Sequence, residues 1–288
     1  YKKLNLSKKD HILFQTARRK DIALANFIIN VDKNHPKFHI RVALEPKKKF
    51  KSFFYYLREM DHSLRTKRAF IYLWSDRIYK VLVNESISKK GIYKSNMPWS
   101  FYKREYKNKS SNFTIGYVGD ARSSRGFQYL PSLIKEIEKK RSFKYLIQYS
   151  KITENLLKTK DELIKLSKKN KRIKLIEKYC DYKDFRILLK KIDIMPIIHN
   201  ASEINNVTSG TLYACITHEI PFVIPHGTKY MKKVLKVDSY ESARNLNQYS
   251  EKIIRISKKY DKYLKNLKYS SKILEKKLRK DPLKKYIN

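Results

Sequence analysis

Glycine is scarce: the chain holds 6 in 288 residues, where average usage near 7% would give roughly 20. Those that remain mark places where the backbone needs a conformation or a clearance that other residues deny. Two cysteines, Cys180 and Cys215, exclude a disulfide framework, and neither has a spacing with His or Cys that suggests zinc, which points to a reducing, cytosolic setting. No run approaches the roughly 18 apolar residues of a membrane helix. The most apolar stretches, Ile192 to Ile198 and Ile220 to Pro225, are strand-sized and contain proline. Acidic residues are also few, 27 Asp+Glu against 67 Lys+Arg, giving a net charge of +40. The chain starts at Tyr1 rather than Met, and Tyr1 to Asp10 has no signal-peptide core, so an upstream segment is expected to be missing.

What is present suffices for folded cores. Hydrophobic residues make up 41% and aromatic residues 13% of the chain, which argues against intrinsic disorder despite the charge. A charge of +40 first suggests nucleic acid. Yet 51 of the 67 cations are lysine, whereas base readout leans on arginine forks. The lysines are also spread along the chain, with clusters at Lys47 to Lys51, Lys168 to Lys171, Lys258 to Lys268 and Lys276 to Lys285. Abundant Lys, Asn, Ile and Tyr beside few Gly, Ala and Pro is the composition an AT-rich coding sequence gives. The charge is therefore read mainly as solvated faces, secondly as affinity for an anionic membrane surface, and no specific nucleic acid is expected.

The chain divides into unlike halves. In the first, His11 to Gln15 reads as a buried strand, Ile22 to Ile29 as an amphipathic helix, and His39 to Ala43 as a second strand. A helix is expected over Phe50 to Met60, then a strand over Arg68 to Leu73 and, capped by Ser75, a helix over Arg77 to Asn84. Lys94 to Ser111 has the composition of a linker. A second series follows: strands at Phe113 to Val118, Tyr145 to Tyr149, Ile173 to Ile176, Ile194 to Ile198 and Phe222 to Ile224, with helices over Leu130 to Lys139, Asn155 to Ser167, Tyr182 to Lys190 and Ser209 to Thr217. Such alternation predicts a five-strand, doubly wound parallel sheet. Beyond Ser239 the sequence reads as basic helix to its end.

Two turns carry candidate chemistry. The first is Gly119-Asp120-Ala121-Arg122-Ser123-Ser124-Arg125-Gly126-Phe127, leading from a strand to a helix. At the carboxyl edge of a parallel sheet such a turn faces the ligand crevice; Gly119 would let the backbone approach a phosphate, and Arg122 and Arg125 would neutralise it. The G-x-G-x-x-G and Gly-Lys-Ser/Thr signatures are absent. The second is Ser209-Gly210-Thr211 at a helix start after Asp193-Ile194-Met195-Pro196, where free amides, a positive dipole end and two hydroxyls suit an anion, or a simple N-cap suffices. Both turns lie on one sheet edge, so they could hold one diphosphate from two sides.

Taken in order, Gly119 to Phe127, Asp193 to Pro196, Ser209 to Thr211 and Ile220-Pro221-Phe222-Val223 resemble the C-terminal domain of GT-B-fold glycosyltransferases of the retaining, glycogen-synthase-like group 1, family 4 type. The resemblance covers Phe113 to Thr228. It implies two Rossmann-like doubly wound domains, the N-terminal one incomplete: residues 1–94 as the acceptor-side domain, 95–111 as linker, 112–240 as the nucleotide-sugar domain, and 241–288 as basic helices returning toward the first domain. It also implies donor diphosphate binding by Gly119, Arg122, Arg125, Ser209, Gly210 and Thr211, and contacts to donor sugar or base from Glu203, Tyr179 and Tyr213. No metal or cofactor is called for, and no catalytic residue is assigned; His35, His39 and His62 are the histidines weighed and set aside. The expected partners are a nucleoside-diphosphate sugar and a glycan or lipid-linked acceptor, in the cytoplasm or at the inner membrane face. Two positions depart from the pattern: Tyr213 stands where a ribose-binding Glu is usual, and Glu219 where the turn before Pro221 usually has Gly. These departures keep a catalytically impaired, glycosyltransferase-like binding subunit as the alternative, with a basic nucleic-acid-binding protein behind it.

Overall fold

The computed structural model describes residues 6–14, 17–42, 51–73, 79–80, 82, 84, 89–95, 112–206, 209–229 and 231–283, with backbone alone for 51–53, 203 and 206. They form two compact units, one built from residues 1–99, 206–208 and 276–288, the other from 100–205 and 209–275. The expected cap at Ser75 and residues 96–111 of the expected linker lie outside the described residues.

The first unit is a parallel sheet of β1 (His11–Phe14), β2 (Lys37–Val42), β3 (Ala69–Leu73) and β4 (Ile92–Lys94), in that spatial order. Parallel neighbours need crossovers, supplied by α1 (Arg19–Val31) between β1 and β2 and by α2 (Lys51–Glu59) with α3 (Asp61–Arg65) between β2 and β3. Ile22, Ala25 and Ile28 of α1 meet Phe38, Ile40, Ile71, Leu57 and Leu64 in one core. The other sheet face is aromatic: Phe70 and Tyr72 are buried with Leu283 from the chain's last described residues, and Ser95 Oγ donates to both carboxylate oxygens of Asp281 at 2.8 and 3.1 Å. On that face a chain of side chains crosses three strands, His11 Nδ1 to His39 Nε2 at 2.7 Å and His39 Nδ1 to Tyr72 OH at 2.8 Å. Burial, with the charges of His11 and Lys37, holds the His39 imidazole down at about 4. Strand β4 is absent from the sequence expectation, because three residues are too few to show a period.

Among the described residues the second unit carries six parallel strands: β5 (Thr114–Asp120), β6 (Lys144–Ser150), β7 (Ile173–Glu177), β8 (Met195–Pro196), β9 (Phe222–Pro225) and β10 (Tyr240–Ala243). The order is β7-β6-β5 and β8-β9-β10. Gly116 N donates to Ile194 O at 2.9 Å and Ile194 N to Thr114 O at 3.2 Å, joining the halves as β7-β6-β5-β8-β9-β10. This is the doubly wound order whose ligand crevice opens at the carboxyl ends of the two middle strands, β5 and β8. Gly116 makes the junction possible, since a Cβ there would stand 2.4 Å from the Ile192 side chain.

The helices are α4 (Leu130–Glu138), α5 (Leu157–Lys169), α6 (Tyr182–Lys191), α7 (Ala201–Asn206), α8 (Gly210–Thr217), α9 (Leu246–Lys258) and α10 (Tyr260–Arg279). The five-strand expectation is therefore one short, because residues 240–243 pair with β9 where helix was expected. Tyr240 stacks on Phe222 at 5.8 Å, but only Ala243 of the four is fully buried, so this edge strand lacks the apolar run of an inner one. Residues 241–275 group with the second unit and 276–288 with the first. The helical spacing of Tyr249, Ile253, Ile256 and Tyr260 does mark a core face; all four are buried against Phe113, Ile134 and Ile137. Among the described residues no helix is long and apolar enough to cross a membrane.

Candidate functional site

The crevice is framed by the turn after β5. Gly119 has φ +129°, a conformation that L side chains rarely adopt. Its N–H is not left for a phosphate: it donates to Gln148 Oε1 at 3.0 Å, and Gln148 Nε2 donates in turn to Lys178 O at 2.6 Å. What the missing side chain leaves room for is Arg125, whose Nη1 lies 2.5 Å from where a Cβ would stand. Gly119 thus clears the space in which the Arg125 guanidinium sits.

Two arginines project from this turn in different states. Arg122 is about half exposed, 2.6 Å from Asp120 Oδ2, and Asp120 Oδ1 accepts from Ser150 Oγ at 2.9 Å. An ion pair this exposed is worth at most about 1 kcal/mol, so it orients Arg122 without locking its charge away from a stronger anion. Arg125 is half-buried and has no carboxylate partner among the described residues. Its charge and, more strongly, burial pull the imidazole of His199 down to about 4, so His199 is neutral near pH 7.

Gly126 ties the turn to the neighbouring strand. Its φ is +74°, and a Cβ would meet the carbonyl oxygen of Ile198, just past β8, at 2.2 Å. The 3₁₀ turn Ser123–Arg125 is thereby pressed onto the carboxyl end of β8. Beside it opens a cavity of about 610 Å³ lined by Ser123, Gln128, His199, Asn200 and Arg244, among others, a size usual for small-molecule sites. The buried Oε1 of Gln128 has no hydrogen-bond partner there. None of Gly119, Arg122, Arg125, Ser209, Gly210 and Thr211 lines this cavity; the turn presents serines to it and arginines to the sheet edge.

The second expected motif forms as the start of α8. Ser209 is the N-cap, its Oγ accepting from Leu212 N at 3.1 Å, and it is 4% exposed. The cap reading of Ser209 therefore holds, while Gly210 and Thr211 remain partly accessible and carry first-turn amides that have no acceptor inside the helix. Tyr213 is 0% exposed within the apolar body of α8. Glu203 falls in α7, and its side chain lies outside the described residues. Tyr179 stands after β7, 71% exposed. With β6 between β7 and β5, it is two strand spacings from the arginine turn, about 10 Å, so one ligand reaching both would need a base at one end and its phosphates at the other. Among the described residues no group of three or more His, Cys, Asp or Glu side chains is placed to hold a metal ion.

The sequence reading passed over His199 and the pair Arg244–Asn245. His199 directly follows the apolar run Met195 to Ile198, three residues past β8, and ligands bind just outside the carboxyl ends of parallel strands. Arg244 and Asn245 follow β10, which was not foreseen.

Neither a family model nor a curated protein sequence matches the chain. Solved structures do match in fold. A glycosyltransferase from Rickettsia africae aligns over 99% of this chain and 77% of its own at 15% identity, TM-score 0.69. HepE of Anabaena, solved in complex with UDP, aligns over 96% and 76% at 10% identity, TM-score 0.61. A variant of TarM from S. aureus, in complex with fondaparinux, α-GlcNAc-glycerol and UDP, aligns over 98% and 54% at 11% identity, TM-score 0.62. The chain thus spans about half the length of TarM and about three quarters of the other two. At these identities the likeness concerns architecture, and on that ground the chain has the GT-B fold of these glycosyltransferases.

Proposed function

We propose that the protein transfers a sugar from a nucleoside-diphosphate sugar to a glycan or lipid-linked acceptor, in the cytoplasm and in peripheral contact with an anionic membrane. One observation carries the reading: at the switch point between β5 and β8 a glycine-enabled turn holds two arginines, one of them without a carboxylate partner among the described residues, in a fold whose neighbours HepE and TarM were solved with UDP. Arg125 would meet the diphosphate, with Arg122 exchanging its Asp120 contact for a phosphate oxygen. The first-turn amides of Gly210 and Thr211 would add hydrogen bonds and the positive end of the α8 dipole. As the bond from the sugar to the diphosphate breaks, negative charge grows on the leaving oxygens, and fixed cations stabilise that state more than the ground state. Neutral His199, beside Arg125, can hydrogen-bond a sugar hydroxyl without adding charge.

Turnover of UDP-, GDP- and ADP-linked sugars, followed by release of the nucleoside diphosphate, tests the reading. Release that depends on Arg125 supports it. The burial of Tyr213 at the position of the usual ribose carboxylate favours the second reading, a binding subunit without turnover. Nucleotide binding without release with any of the three donors would select it.

A further inference from the structure

α1 carries two apolar stripes, although one suffices for a helix covering a sheet. Ile22, Ala25 and Ile28 face the core. On the outside, Leu24, Phe27 and Val31 are 50%, 63% and 61% exposed. With exposed Lys20 they fall at spacings of four, three and four residues, which places all four on one outward line about 16 Å long. The other exposed large hydrophobics among the described residues, such as Leu157, Ile187 and Val237, belong to other elements and form no comparable line. Scattered apolar groups are ordinary, but three in a row on one surface helix mark a contact.

Cations stand at both ends of the line. Arg18, Arg19 and Lys20 are exposed at the start of α1 and Lys33 just beyond its end, and neighbouring α2 exposes Tyr55 and Arg58; these five cations outnumber the acidic residues beside them, Asp21, the C-cap Asp32 and exposed Glu59. The only acidic residue on α1, Asp21, is turned to the helix start, where its Oδ2 accepts from Arg18 N at 2.7 Å. An apolar line with a basic surround matches the boundary between headgroups and acyl chains of an anionic bilayer. A second copy fits poorly, because it would bring +40 against +40.

We infer that α1 is a membrane-docking surface, with Leu24, Phe27 and Val31 entering an anionic bilayer and Arg18, Arg19, Lys20 and Lys33 meeting its headgroups. The inference rests on the membrane contact of the preceding reading and is independent of sugar transfer.

Because +40 alone gives affinity for any polyanion, the test must separate the apolar line from charge. Co-sedimentation of the full chain with phosphatidylglycerol/phosphatidylcholine vesicles is compared at about 0.15 M salt, where long-range attraction is screened, for wild type, a Leu24→Ser, Phe27→Ser, Val31→Ser triple variant, and Val237→Ser as control. Each of the three half to two-thirds exposed side chains should carry about fivefold in affinity, so the triple variant loses on the order of a hundredfold while melting within a few degrees of wild type. Val237→Ser should bind as wild type does. A triple variant binding within twofold of wild type assigns the contact to net charge and overturns the surface. No wild-type binding to these vesicles overturns the membrane contact itself. Self-association in sedimentation velocity that the triple variant abolishes overturns the lipid assignment in favour of a second copy. Nucleotide binding, measured separately, bears on sugar transfer alone.

Discussion

Gly126 is where the proposed site is most sensitive to a single methyl group. Replacing it by Ala places a Cβ 2.2 Å from the Ile198 carbonyl oxygen and 2.9 Å from both its carbon and its Cγ1. The first two are backbone atoms, so no rotamer change relieves the contact, and the turn or the end of β8 must shift by close to 1 Å to restore van der Waals separation. Such overpacking costs about 1–3 kcal/mol, and a non-glycine residue in the left-handed region about 1–2 kcal/mol more. The total is about 2–5 kcal/mol, or on the order of 5–15 °C in Tm for a unit of this size. Gly227 supplies the control: its φ is +84°, but nothing lies within 4 Å of its Cβ position, so Gly227→Ala should cost only the conformational part. Thermal and urea unfolding of the two variants, with nucleoside-diphosphate affinity measured in parallel, compares them. Gly126→Ala should be the less stable and the weaker binder, since the arginine turn moves with it. Equal destabilisation by the two variants would show that the turn yields freely at Ile198, refuting the view that Gly126 fixes its position.

Ser209→Ala removes the cap on Leu212 N and should cost about 1 kcal/mol by urea unfolding, whereas partly exposed Thr211→Ala should stay within about 0.5 kcal/mol; the reverse order would contradict the cap assignment. Tyr213→Glu, which introduces the carboxylate usual in the enzymes the sequence resembles, should destabilise by several kcal/mol because it buries a charge, and a stable variant with improved donor affinity would show that position 213 faces the ligand. His39 titrates near 4 in the fold against about 6.5 when free, so the unfolded chain binds the extra proton between those values. Its contribution of roughly 3 kcal/mol is complete above pH 6.5 and lost as pH falls to 4. Urea unfolding of His39→Gln across that window should show a slope shallower by about 1.4 kcal/mol per pH unit, and an unchanged slope would remove His39 as the cause.

The sequence was most legible where apolar periodicity was long. Tyr249, Ile253, Ile256 and Tyr260 announced a core helix face, and the strands near Val118, Tyr149 and Ile224 appeared where their apolar runs stood. β4 and β10 escaped because one is three residues long and the other is a half-polar edge strand. With β10 hidden, Arg244 and Asn245 read as helix surface rather than as residues at a strand's carboxyl end. The two turns were found from their glycines, but their roles were only half legible. That the Gly119 amide is bonded to Gln148, itself held by Lys178 O, depends on strand β6 and the end of β7, 29 and more residues away. Burial of Tyr213 likewise depends on how α8 packs, which a motif cannot show.

The proposed reading stands or falls with diphosphate binding by the turn after β5. Calorimetric titration of the protein with UDP, GDP and ADP, beside an Arg122→Ala, Arg125→Ala variant, tests it most directly. Each lost charge-assisted contact is worth about 1.5–3 kcal/mol, reduced for half-exposed Arg122, so at least one of the three should bind, with a loss of at least about thirtyfold in the variant. Binding with equal affinity by both proteins, or by neither, would contradict it.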